Sequence, residues 1–177
     1  MKQWVFGLGI SIFVASAFAE EWPEWRGPRR DGSSLDTGLT TKWSETENIA
    51  WKTPIPGKGH SSPIVWGDRV FVATAETGEL RRILLCLDAR DGKALWSRDV
   101  LVAPLEKINN LNSHASSTPA TDGKHVYVAF QDRDKMFAAC YDFAGNKVWE
   151  QRPDKFFAQH GFCSAPLLYK DLVILNG

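Results

Sequence analysis

Four side chains in this sequence have the chemistry to ligate a metal, move a proton or grip a ligand: His60, His114, His160 and Cys163. Each histidine stands shortly before a Ser/Thr-rich step into a proline, three residues ahead of Pro63, five ahead of Pro119 and six ahead of Pro166. Neutral imidazoles brought to one place can hold a metal or contact a ligand near neutral pH. The unequal offsets argue against a fixed three-histidine cage, and no Asp or Glu recurs beside them at constant spacing. No metal site and no catalytic residue is therefore assigned, and the four side chains are read as candidates for ligand contact.

Two carboxylates recur in a different setting. Asp88 and Asp142 each follow a cysteine by two residues and precede a glycine, Gly92 and Gly145, and then a tryptophan, Trp96 and Trp149. An Asp just ahead of a tight turn accepts hydrogen bonds from the turn's backbone N–H groups. Repetition at equivalent places makes these turn residues, not a catalytic acid pair. Cys86, Cys140 and Cys163 cannot all pair internally, so at least one thiol is left free or finds a partner outside this chain. Cys86 and Cys140 read as small buried packing groups.

These residues sit inside a repeat. Cys86–Trp96 aligns with Cys140–Trp149, and Trp51 closes a weaker third copy. Ser61-Ser62-Pro63, Ser117-Thr118-Pro119 and Ser164-Ala165-Pro166 open three further copies of one apolar, hairpin-like segment. A period of about 50 residues built from short β-rich runs is the signature of propeller blades. Gly67-Asp68 and Asp122-Gly123 are the hairpin turns between successive runs. The fold class expected is all-β, a β-propeller of four-stranded antiparallel blades, with about two and a half blades present and the ring incomplete. Strands are expected near 61–66, 69–75, 82–88 and 93–99, then near 117–121, 124–130, 136–142 and 146–151. Trp51, Trp96 and Trp149 are expected to be buried between blades, with Trp51 on an outer strand of the ring's last blade.

Ahead of the repeats lie two other segments. Lys2, the uncharged run Trp4–Phe18 and the small-x-small step Ala17-Phe18-Ala19 read as a secretory signal over 1–19. Residues 20–47 read as a lead-in, and 48–177 as the repeats. Lys+Arg and Asp+Glu both number 21. That balance gives no basic excess of the kind nucleic acid or an anionic membrane demands.

The run Leu87-Asp88-x-x-Asp91-Gly92-Lys93-x-Leu95-Trp96 resembles the repeat of PQQ-like, or quinoprotein-like, β-propeller proteins, and Asp142, Gly145 and Trp149 match it with a one-residue deletion. The lead-in Trp22-Pro23-x-x-Arg26-Gly27-Pro28 resembles the start of a secreted subfamily. The resemblance implies one of two activities. Some members bind protein only; others are dehydrogenases holding pyrroloquinoline quinone and Ca²⁺. No adjacent cysteine pair of the alcohol-oxidising type is present, so the expectation is an exported, periplasmic or extracellular binding or scaffold module. Its partner would be a protein or an envelope polymer, with pyrroloquinoline quinone and Ca²⁺ only under the dehydrogenase alternative. The link Leu101–Ser116, rich in Asn, is the one extended loop, and long loops on rigid scaffolds often carry binding.

Overall fold

A computed structural model describes residues 19–177; the expected signal segment lies almost wholly outside them. Val, Ile, Leu and Phe alternate with small or polar residues along short runs, so each run buries one face or both in a sheet. The first sheet is a meander of β1 (Ile64–Trp66), β2 (Arg69–Glu76), β3 (Arg81–Asp88) and β4 (Ala94–Val102). The second repeats it with β5 (Ala120–Thr121), β6 (His125–Asp132), β7 (Lys135–Asp142) and β8 (Lys147–Gln151). A third begins with β9 (Leu167–Tyr169) and β10 (Leu172–Ile174). All pairings are antiparallel, and the innermost strands β1, β5 and β9 neighbour one another. Two four-stranded blades and the inner pair of a third thus form an open arc. Among the described residues no helix is long and apolar enough to cross a membrane.

The inner strands are shorter than the sequence suggested, and the reason is local. Each begins only after its proline, which lacks the N–H a ladder needs. The hydroxyl residues before the prolines lace blade to blade instead. Ser62 N–H donates to Thr118 Oγ1 at 3.0 Å, and Ser117 Oγ donates to Ser164 O at 2.8 Å. Trp51, expected on an outer strand, lies in a stretch with no strand pairing.

The core runs between the blades. Phe71, Leu84, Cys86, Val126, Phe130, Phe137 and Tyr141 are buried together, with Trp96 and Phe143 packed against them. Trp96 reaches from the outer strand of blade one to the β7–β8 turn of blade two, where its Nε1–H donates to Phe143 O at 2.9 Å. Two residues on, Arg98 Nε donates to Gly145 O at 2.7 Å. The same pair of contacts occurs one blade earlier. Trp51 Nε1–H donates to Ala89 O at 2.8 Å and Thr53 Oγ1 to Gly92 O at 2.6 Å. Asp88 and Asp142 shape the receiving turns, accepting from Arg90 N–H and Asn146 N–H at 2.8 Å each.

The receiving glycine satisfies two constraints at once. Gly92 and Gly145 have φ of +72° and +81°, which an L side chain adopts at a cost. A Cβ on Gly92 would also stand 2.4 Å from the Trp51 ring, and one on Gly145 2.8 Å from Trp96. A further device aims the tryptophans. The β3–β4 register slips between Cys86 and Leu87, and the β7–β8 register slips between Cys140 and Tyr141. Leu95 and Val148 are the residues so expelled, both exposed, and each directly precedes its tryptophan. An extra residue at that point re-aims the next side chain toward the neighbouring blade.

Gly67 provides a control, since it has φ +56° but open space around it. Gly67→Ala should cost about 1 kcal/mol from backbone strain alone. Gly145→Ala should cost about 3 kcal/mol, because the ring of Trp96 must also move. Urea unfolding of the two variants checks the difference.

Candidate functional site

The chain passes from blade to blade on one side of the sheets, beyond the ends of β4 and β8. Two links run there, 103–116 and 152–163, and each is fixed by a different ion pair.

The first link is held by Arg82 on β3, whose side chain is fully buried. Its guanidinium forms an ion pair with Glu106, also buried, and donates to Ala103 O at 2.7 Å. His114 completes the group, with Nδ1 3.3 Å from the Glu106 carboxylate and little exposure of its own. A charge taken out of water is tolerated only with partners of this kind. The second link is held by Arg152, whose Nε donates to Asp132 Oδ2 at 2.7 Å while its guanidinium lies 4.8 Å from the Phe137 ring centre. Beyond it the link pairs with the β6–β7 turn through Met136 N–H to Asp154 O and Phe156 N–H to Asp134 O.

The links also brace each other. Asn112 Nδ2 donates to His160 O at 2.6 Å, and Asn109 N–H donates to the same oxygen. Gly161, at φ +90°, allows this approach; a Cβ there would stand 2.6 Å from Ile108. Between the braced links and the β6–β7 turn lies an open groove of about 940 Å³. Ile108, Phe156 and Phe157 give it apolar surface, and Lys107, Arg133 and Lys155 stand around it. Phe157 is 94% exposed. A smaller cavity of about 200 Å³ lies on the other side of Ile108, lined by Lys58, Thr77, Asn112 and His114.

The four residues singled out from sequence fare differently. His160 lines the groove and is exposed. His114 lines the smaller cavity with its imidazole turned to Glu106. His60 is exposed and lines neither; its backbone N–H donates to Ala115 O. Cys163 is a free, exposed thiol that also lines neither. Among the described residues no three His, Cys, Asp or Glu side chains stand together in metal-ligating geometry. Cys86 and Cys140 are buried and free, and burial pushes both thiols up to about 11. They are inert as nucleophiles near neutral pH.

Sequence reading missed Arg82 and Glu106. The signal was in the repeat alignment: counting back from Asp88 and Asp142, Arg82 occupies the place of Met136. A charge in a slot that the next blade fills with an apolar residue marks a buried pair.

The family model described as outer membrane protein assembly factor BamB matches residues 32–132 and again residues 81–177, the two matches offset by about one blade. The chain belongs to this family. It is a PQQ-like β-propeller repeat protein. Among solved structures, BamB from Moraxella catarrhalis is similar in fold, with a TM-score of 0.52 at 17% identity over 73% of this chain. The chain spans 38% of that protein's length. A europium-containing methanol dehydrogenase aligns over 51% of this chain and 15% of its own at 21% identity, and its TM-score of 0.39 is too low to bear on fold or chemistry. No curated protein matches.

If Arg82 and Glu106 fix the first link, Glu106→Gln leaves a buried guanidinium without its counter-charge. The expected loss is about 3 kcal/mol in urea unfolding. Hydrogen exchange should rise most in the 103–116 link, with the outer strands little changed.

Proposed function

We propose that this chain forms part of an exported binding or scaffold propeller, and that the groove between its blade-linking segments takes up a polypeptide. The observation that carries the reading is the groove's construction. Its walls are cross-braced backbone and its roots are two ion pairs, Arg82–Glu106 buried and Arg152–Asp132 part-buried, so the surface is formed before any partner arrives. A preformed, partly apolar site spends little free energy on ordering itself when it binds. An almost fully exposed phenylalanine beside it is the kind of side chain that anchors a protein contact. Family membership supports the same reading, since its model is named for a factor in protein assembly. Export rests on the leader-like residues 1–19, and the reading includes no cofactor.

A photo-crosslinking residue placed at Phe157 tests it in the producing cell. The result expected is a discrete adduct that protease removes, with none from the same residue at Leu95 on the outer strand. An adduct only to glycan, or equal labelling from both positions, would contradict the reading. Turnover of alcohols or sugars by the full-length protein with pyrroloquinoline quinone and Ca²⁺ would favour the dehydrogenase alternative instead.

A further inference from the structure

The groove carries charge as well as apolar surface, and its charges are unevenly matched. Lys107, Arg133 and Lys155 make no ion pair among the described residues. Glu106, the carboxylate at the back of the groove, is already neutralised by Arg82. Asp134 is the single free carboxylate that remains in the lining. Three free cations thus face one free anion on a chain whose formal net charge is zero. The cations come from three separate stretches: the first link, the β6–β7 turn and the second link. They surround the apolar surface of Ile108, Phe156 and Phe157.

The wall holds an unfilled polar position too. Gln131 is 7% exposed, and its Nε2 donates to Arg133 O at 2.7 Å, which fixes the orientation of the amide. Its Oε1 is then left buried without a donor. A buried acceptor with no partner is unfavourable.

We infer that the groove binds an acidic, extended polypeptide segment that seats an apolar side chain against Ile108 and Phe157. The inference rests on the groove being a polypeptide site, and it adds the partner's charge and anchor. Lys107, Arg133 and Lys155 would each meet a carboxylate at the rim, where complementary charge governs partner choice and the rate of encounter more than total affinity. The apolar anchor removes Phe157 from water. A basic segment would face three like charges, and a nonpolar one would leave all three cations without counter-charge.

The test uses the full-length protein and three labelled twelve-residue peptides read by fluorescence anisotropy. One alternates Glu with Phe, the second replaces every Glu by Lys, and the third replaces every Phe by Ser. The first should bind, weakening as salt rises, and the other two should bind at least tenfold more weakly. Lys107→Glu with Lys155→Glu should lower affinity for the first peptide at least tenfold, whereas Lys107→Arg with Lys155→Arg should preserve it. Equal binding of the Lys peptide, tight binding of the Phe-free peptide, indifference to the charge reversal, or no binding of the first peptide would each overturn the inference. Tight binding of polygalacturonate in place of the first peptide would assign the cations to an anionic envelope polymer and overturn it as well. Crosslinks from Phe157 to protein, obtained together with any of these failures, would leave the polypeptide site standing and reject only the acidic partner.

Discussion

The structure depends on one repeated contact, the face of a tryptophan laid on a glycine in the turn of the next blade. Trp51 lies on Gly92 and Trp96 on Gly145, each indole N–H reaching a backbone carbonyl of the turn it covers. The contact is apolar over most of its area and polar at one edge, which suits an indole at a boundary between two sheets. Because the ring leaves no room for a Cβ, spacing between blades is set by backbone meeting ring, a hard contact with little slack. Thr53 and Arg98, two residues beyond each tryptophan, hold the same turns by a second bond.

Everything on the side of the blade-linking segments inherits that spacing. Once the blades are placed, the links between them must cover fixed distances, and ion pairs decide the path each one takes. Arg82 draws Glu106 inward, which turns Lys107 and Ile108 outward into the groove. Arg152 starts the second link in the same way, and Asn112 then ties it to the first. On the opposite side the lead-in has a comparable bracing role. Trp22 exchanges hydrogen bonds with Val65 on β1, Pro23 O accepts from Thr121 N–H, and Arg30 donates to Leu168 O. Residues 22–30 therefore bridge the innermost strands of all three described sheets. Trp22 also covers a strand edge that would otherwise stay open.

Much of this was legible in the sequence because a repeat states its constraints more than once. The Asp, Gly and Trp of Asp88–Trp96 and Asp142–Trp149 pointed to propeller blades, and the hairpins at Gly67-Asp68 and Asp122-Gly123 marked the strand boundaries. What was hidden lacked either periodicity or a local motif. The expelled Leu95 and Val148 look like ordinary strand residues until the register is known. The groove is formed by three separate stretches, of which the Asn-rich link and His160 on the second link stood out while the β6–β7 turn did not. His60 and Cys163 line neither cavity, and nothing in the residues around them gives the path of each link, which is set by ion pairs between distant residues. Nothing in the residues of the lead-in says which strands it spans.

The most direct measurement of the docking account is a double-mutant cycle in urea unfolding between Trp96→Ala and Gly145→Ala. If the indole is what forbids a side chain at the turn, removing it relieves the clash. In the Trp96→Ala background Gly145→Ala should then cost only the strain of its positive φ, about 1 kcal/mol, so the two changes couple by about 2 kcal/mol. Additive costs, with Gly145→Ala equally damaging whether or not Trp96 is present, would show that the ring does not set the blade spacing.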